Sequence, residues 1–361
     1  MRARSATSAL LFAACLCATP DSPATAAGPG LWSAGGTTLR TTPTGYLAAT
    51  AGRELPLTLP AGAEVEELFA LRQGAFLSGR SASARSVPGE APRSDLFLAL
   101  LDARGLHALP SPATDAEGGQ QRENAVPLAA LTGELAGLAW LEGHDRQSYA
   151  VRYAAWDGMR WSEPAVVAAA APGSQLALAG ATLADGTKLL VWTRFDGRDD
   201  EIVAARFADG RWSAARPLAP GNDVPDVTPA LVAVPGGALA AWSRYDGHDY
   251  RVVVARFDGR EWSAPTWAGP AGSTYPALQP AELGDPGAAP AAARSGEAAA
   301  WLTYAHAASR GWAVVELAAS GRTLRRAEVS DAPAARPALA VRPSGAVRLR
   351  WATTESEVEL E

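Results

Sequence analysis

Residues 241–265 read AWSRYDGHDYRVVVARFDGREWSAP, and residues 191–215 read VWTRFDGRDDEIVAARFADGRWSAA. The tryptophans and the Asp-Gly pairs fall in the same places, 50 residues apart. Within each copy, β-branched and aromatic runs alternate with turn dipeptides. In the copy that starts at Thr228, TPALVAV, ALAAWSRY, YRVVVARF and REWSAPTW are strand candidates. Gly236-Gly237, the DGHD tip and Asp258-Gly259 separate them as hairpin turns. One copy is therefore a four-stranded antiparallel meander.

Working outward, Trp140, Trp192, Trp242, Trp301 and Trp351 each close a short apolar run, and Trp161-Ser162, Trp212-Ser213 and Trp262-Ser263 form a second series about 20 residues later. A period near 50 with four strands per unit is the size of one propeller blade. Helical periodicity of the i, i+3, i+4 kind is absent, and 35 Gly with 27 Pro suit many short strands and turns. The fold expected is all-β: a six-bladed β-propeller of four-stranded antiparallel blades in a single domain over 27–361. Blades are expected at 64–113, 124–173, 174–226, 227–274 and 275–333. The sixth is assembled by pairing the C-terminal segment 334–361 with the N-terminal segment 31–62, which closes the ring and removes exposed sheet edges.

Composition excludes several classes. Hydrophobic residues make up 48% and charged residues 19%, so the chain has the material for a packed core. The formal charge is -6 and no Lys/Arg cluster tracks phosphates, which argues against a nucleic-acid partner. Residues 1–26 read as a signal peptide, with Arg2 and Arg4 ahead of the apolar run ATSALLFAACLCA and a small-x-small site at Ala24-Thr25-Ala26. The run is too short to span a bilayer, and no transmembrane segment is expected downstream. Phe12-Ala13-Ala14-Cys15 also matches a bacterial lipobox with Phe in place of Leu, so a lipid anchor at Cys15 is the competing expectation. Cys15 and Cys17 are the two cysteines of the sequence, and cleavage after Ala26 leaves a chain that needs no disulfide. Either route places the protein in the periplasm or outside the cell.

The pattern Trp-x-Arg-x-Asp-Gly-x-Asp, at Trp192 to Asp199 and Trp242 to Asp249, resembles the repeats of six-bladed bacterial periplasmic propellers of the Tol-system type. The Asp-Gly-x-x-Trp-Ser stretch from Asp258 resembles the Asp-box of sialidase-like propellers. It departs from Ser-x-Asp-x-Gly-x-x-Trp in that Gly259 directly follows Asp258 and Phe257 precedes it. Both resemblances imply the architecture, across about 64–361, and no catalytic residue. The Asp-Gly pairs read as turns, in which Asp caps its own turn and Gly takes the positive φ.

Candidate ligand-binding residues follow from position in the repeat. His144, Arg198, His248 and His306 are expected at equivalent hairpin tips, too far apart for one zinc, so no metal and no cofactor is expected. The first strand of each unit should lie nearest the axis. Its start carries Glu64, Glu66 and Glu67 in one unit, Asp223 and Asp226 in another, and Arg122, Tyr275 and Arg336 at comparable places. Arg152, Arg206 and Arg256 share a position before an aromatic and read as structural. The polar loops 81–94 and 114–123 are expected on the rim that these starts occupy. The functional reading is an exported, non-enzymatic binding or scaffold module for an envelope or extracellular protein or glycan. The alternative is a sialidase-like glycan hydrolase or lectin.

Mass spectrometry of the natively produced protein checks the export reading. An N-terminus at Ala27 is expected for secretion and a lipid-modified Cys15 for anchoring, whereas an intact Met1 refutes both.

Overall fold

In the computed structural model, the described residues are 31–34, 37–42, 45–50, 52–82, 94–112, 121–144, 147–170, 173–281, 297–341, 347–351, 354–358 and 360. Their regular structure is entirely β. Residues 1–26, Cys15 among them, and most of the loops 81–94 and 114–123 lie outside the described residues.

Six four-stranded antiparallel sheets follow one another along the chain, at 31–57, 64–108, 121–168, 175–217, 226–267 and 273–329. They are numbered here as the first to sixth blades. In the fourth, two short outer pieces, Arg211–Trp212 and Arg216–Pro217, both pair with the third strand Asp200–Ala208. The first strands of successive blades touch one another. They line the axis, and the later strands of each meander lie progressively outward. The fold is the propeller that the repeat predicts.

The closure differs from the expectation. The N-terminal segment completes four antiparallel strands of four to six residues by itself. The C-terminal segment forms a separate three-stranded sheet, Ala338–Val341, Val347–Arg350 and Glu355–Val358. Among the described residues no hydrogen-bonded ladder joins the two segments. Instead Ala338–Val341 lies against Leu31–Ala34, so the ring closes by packing. The physical reason is that strands this short leave residues enough for a full meander, so the N-terminal blade has no vacancy for strands from the other end.

Each hydrophobic cluster sits between two neighbouring sheets, and six such slabs link the seven sheets in order. Trp140, Trp192 and Trp242 are fully buried, each in the slab shared with the preceding blade. The expected equivalence of Trp301 does not hold. Register places Tyr304 opposite the first-strand bulge, where the other three blades have Trp, while Trp301 pairs with Gln279 and packs against the closing sheet. Arg152 is also out of register: it lies opposite Trp140, whereas Arg206 and Arg256 lie opposite Leu189 and Leu239.

The Asp-Gly turns are confirmed in detail. Asp157, Asp196, Asp246 and Asp258 each accept two backbone N–H groups of their own turn, at 2.7–3.2 Å. These bonds hold all four carboxyls below the usual range. The following glycines have φ of 98–100°. Close approach constrains Gly237 differently, because a Cβ there would lie 1.8 Å from the carbonyl oxygen of Phe257.

Replacing Trp192 or Trp242 by Ala is expected to cost ~3 to 5 kcal/mol, read as a drop in the chemical-denaturation midpoint. Phe separates the two positions. The Trp192 indole donates to Gln175 Oε1 at 2.6 Å and the Trp242 indole has no hydrogen-bond partner among the described residues. Trp192→Phe should therefore destabilise by about 1–3 kcal/mol more than Trp242→Phe.

Candidate functional site

Antiparallel order puts the starts of the first strands, the tips between second and third strands, and the links between blades on one rim. The first strand in each of the second to sixth blades carries a β-bulge two to three residues from its start. In four of them the bulged residue is a non-glycine with positive φ: Asn124, Ala177, Thr228 and Tyr275. Proline follows two of these, in Thr228-Pro229 and Tyr275-Pro276. A proline lacks the N–H that a ladder needs and keeps its predecessor out of the right-handed helical region, so it suits an unpaired bulge position. The bulges turn successive side chains about the mouth and free backbone groups that neighbouring blades take up. Glu66 accepts the Asn124 N–H at 3.1 Å, the Asn124 side chain bonds both backbone groups of Leu178, and Ser243 Oγ accepts the Tyr275 N–H at 3.1 Å.

Charged residues gather on this rim in paired sets. Arg80 reaches Glu66 at 2.7 Å and Glu64 at 3.5 Å, with Glu123 at 4.0 Å. Burial raises the Glu66 carboxyl above its usual range, against the opposing effects of Arg80 and the Asn124 N–H. Arg336, just ahead of the closing sheet, pairs with Glu67 at 3.2 Å. Arg122 is buried and bonds Glu142 of its own blade at 2.8 Å and Asp95 of the blade before at 2.6 Å.

In the fifth blade the same two positions carry the opposite charges. Asp226, 1% exposed, receives Arg244 in a two-point pair at 2.8 and 2.6 Å, and the guanidinium lies over the Trp242 ring. Glu201, on the third strand of the fourth blade, is 6% exposed and takes one long bond from Asn222 at 3.5 Å. Burial, then the charges of Asp226 and Asp199, push its carboxyl up to about 7 against the pull of Arg244. A carboxyl of this kind can hold or release a proton near neutrality.

Beside these sets are aromatics, half-buried at Tyr245 and Tyr250 and exposed at Tyr275. Tyr245 and Tyr250 have ring centroids 5.4 Å apart, and Tyr275 is 37% exposed. The Tyr250 hydroxyl is raised by burial and then by Asp200, Tyr245, Tyr275 and Asp226, which places all five groups within electrostatic reach. Phe195 at the next tip is exposed as well.

The sequence candidates divide accordingly. Glu64, Glu66, Glu67, Arg122, Asp226, Tyr275 and Arg336 lie on the rim at or beside the mouth. Arg198 and His248 occupy the same place in their turns, each with its N–H on the preceding Asp, and Arg198 also pairs with Asp223 at 2.9 Å. His144 and His306 are not equivalent to them. His144 stands where the other turns have Asp and its N–H bonds Ser148 Oγ, while His306 ends a second strand opposite Gly311, with Nδ1 3.4 Å from Glu328. Arg80, Glu123, Arg244, Glu201, Asp200, Tyr245 and Tyr250 were not singled out in the sequence. Register finds all but Glu123, since the end of each second strand and the start of each third face the first-strand start, and Glu123 follows Arg122 in a first strand. Among the described residues no group of three or more His, Cys, Asp or Glu is arranged to hold a metal ion, and no helix is long and apolar enough to cross a membrane.

No protein-family model matches the chain, and no curated protein is similar to it. Solved structures are similar at the level of fold. A prolyl endopeptidase matches with TM-score 0.52 and 14% identity over 89% of this chain, and a polysaccharide lyase of family PL25, an ulvan lyase, with TM-score 0.54 and 10% identity over 84%. A protein of unknown function from Dyadobacter fermentans matches with TM-score 0.51 and 14% identity over 80%. The match spans 44% of the endopeptidase, 80% of the lyase and 90% of the Dyadobacter protein. These likenesses support the propeller and identify neither a Tol-type nor a sialidase-type repeat family.

Glu201 gives a pH signature. Its folded value near 7 exceeds the usual 4.5, so the folded state holds this proton more tightly than the unfolded chain. Its contribution to stability is present below about 4.5 and is lost as pH rises to about 7, a loss on the order of 2–4 kcal/mol. Glu201→Gln should flatten that slope in denaturation midpoints measured from pH 4.5 to 8. An unchanged slope would assign the burial penalty to another group.

Proposed function

We propose that the chain is an exported, non-enzymatic binding module whose ligand, a glycan, docks on the rim where the first strands begin. The observation that carries the reading is the pairing of exposed aromatic faces, Phe195 and Tyr275, with carboxylates on that rim. Sugars present flat C–H surfaces that stack on aromatic rings and hydroxyls that donate to carboxylates. Propellers offer ligands a concave mouth framed by loops on a rigid scaffold, and two long polar loops, 81–94 within the second blade and 114–123 between the second and third, are expected on this side. The ulvan lyase among the similar folds makes polysaccharides the first ligands to test. Export by cleavage after Ala26 or by lipidation at Cys15 is part of the same proposal, since such ligands lie outside the cytoplasm.

One observation favours a glycan-acting enzyme instead. Glu201 near neutrality beside the Asp226–Arg244 pair has the two-carboxyl character of acid–base hydrolysis. Against it stands the burial of both carboxyls, which removes them from direct contact with a polymer.

Affinity electrophoresis through gels containing neutral, acidic and basic polysaccharides, run with product assays on the same polymers, tests the two readings. Retardation without turnover is expected, and retardation should be lost in the Phe195→Ala, Tyr275→Ala double variant. Turnover abolished by Glu201→Gln would replace the binding reading by the enzymatic one. Retardation that survives the double variant would move the ligand to another face.

A further inference from the structure

The outer hairpin of the third blade departs from its copies. Its turn, Asp157 to Arg160, joins the third strand to the fourth and so lies on the rim opposite the first-strand starts. Trp156 and Trp161 pair across it with ring centroids 4.6 Å apart and planes tilted by 50°. Both pack on one side against the slab between the second and third blades, and both are partly exposed. With Ala155, Asp157, Arg160 and Ser162 they line an open hollow of about 360 Å³. The fourth and fifth blades have Phe where this hairpin has Trp156, in the pairs Phe207–Trp212 and Phe257–Trp262. In the fourth, the chain covers the rings itself: Tyr153 lies 5.5 and 5.2 Å from them, and Lys188 Nζ stands 5.5 Å from the Phe207 ring centre. In the fifth, Phe257 is buried.

Bonds around the hairpin fix the frame of the hollow. The Trp161 indole donates to the carbonyl of Pro110 at 2.8 Å, and Ser162 Oγ accepts the Ala155 N–H at 2.9 Å. Asp157 Oδ1 accepts the Met159 and Arg160 N–H groups at 2.8 and 2.7 Å. Two donors are left over. The Arg160 guanidinium acts on Asp157 through its charge but forms no side-chain hydrogen bond or ion pair among the described residues, and the Trp156 indole N–H has no acceptor among them. From this arrangement we infer that the hollow is a second saccharide site, for one pyranose ring of a neutral glycan. The C–H face of a sugar ring stacks on an indole, while its hydroxyls accept from Arg160 and the Trp156 indole and donate to Asp157. The polar edge carries one charge of each sign, which suits an uncharged polyhydroxyl ring better than an ion. Confinement to six residues of one hairpin argues against an extended peptide, whose recognition runs along a groove. The preformed frame lowers the ordering cost of binding.

The inference goes beyond the mouth reading and does not depend on it. A site for one ring has a dissociation constant of about a millimolar, too weak to retard the protein in a dilute gel once the mouth is disabled. Ligand-observed saturation-transfer NMR of the whole protein carrying Phe195→Ala and Tyr275→Ala tests it. The probes are trisaccharides of glucose, mannose and galactose, with trigalacturonate and a proline hexapeptide as comparators. At least one neutral trisaccharide should bind, and both comparators should bind more weakly than it. In the same background Trp156→Ala should weaken that binding by about tenfold, while Trp156→Phe, which keeps a ring as in the fourth and fifth blades, should retain it. Arg160→Ala should weaken it by about fivefold. Arg160 is exposed, so its variant keeps the fold and its result stands if Trp156→Ala melts early. The site is overturned if no neutral trisaccharide binds, if binding survives Arg160→Ala and a folded Trp156→Ala undiminished, or if trigalacturonate or the peptide binds as tightly. Gel retardation of the natural protein is decided at the mouth, so failure of either reading leaves the other standing.

Discussion

Face-to-face burial of one sheet against the next is the constraint on which the rest of this structure depends. A four-stranded meander is apolar on both faces, so an isolated blade would expose as much as it buries. The chain solves this by repetition: each slab takes one face from each of two neighbours, and no single central core exists. Trp140, Trp192 and Trp242 recur because each fills the same gap toward the preceding blade. Tyr304 fills it in the sixth blade, where its hydroxyl reaches the carbonyl of Ala268 instead of an indole reaching the rim. Large rings at that position wedge the sheets apart on the outside of a ring whose inner strands are in contact, which is what a closed wheel requires.

The inner strands resolve a second conflict. Seven first strands must converge on one axis, and a regular pleat would drive every other side chain into its neighbours. The bulges break the pleat near the mouth and accept left-handed backbone at Asn124, Ala177, Thr228 and Tyr275. Such strain persists only where the surroundings over-determine it. Here Glu66, Asn124 and Ser243 do so by reaching from one blade to the backbone of the next, and Thr228 shares the Ser243 hydroxyl at 2.8 Å. The belt that holds the ring therefore also presents Tyr275 to solvent.

Legibility in the sequence tracks distance along the chain. Hairpins were readable because an Asp-Gly pair and its flanking alternation lie within ten residues. The blade period was readable because the same gap must be filled repeatedly. Closure was not, since whether residues 31–57 hold two strands or four depends on turns as short as Thr42 to Gly45 that lack the Asp-Gly signature. The site was half legible. Glu66, Asp226 and Tyr275 stand at predictable first-strand starts, whereas Glu201 and Arg244 belong to the rim only through registers that bulges shift by a residue. Counting from tryptophan misplaced His306 and Trp301 for the same reason: the sixth blade has Tyr at the marker position.

The interface between the fourth and fifth blades shows how repetition and function come apart. At the interface of the second and third blades, Arg122 satisfies Asp95 and Glu142, and the Trp140 indole also donates to Glu142 at 3.3 Å. At the interface of the third and fourth, Gln175 accepts from Trp192. Between the fourth and fifth, Asp226 turns wholly to Arg244. Among the described residues the Trp242 indole and the Thr193 hydroxyl are then buried without partners, and Glu201 is held near the midpoint of its titration. Buried polar groups left so cost free energy that a simple repeat of Gln175 at this position would have avoided. The same interface carries Asp199, whose Oδ2 is buried without a hydrogen-bond partner among the described residues. Ser78 Oγ and Trp212 Nε1 are also buried without a hydrogen-bond partner among the described residues, so what sets this junction apart is that two buried carboxyls, Asp226 and Glu201, draw on the one guanidinium of Arg244.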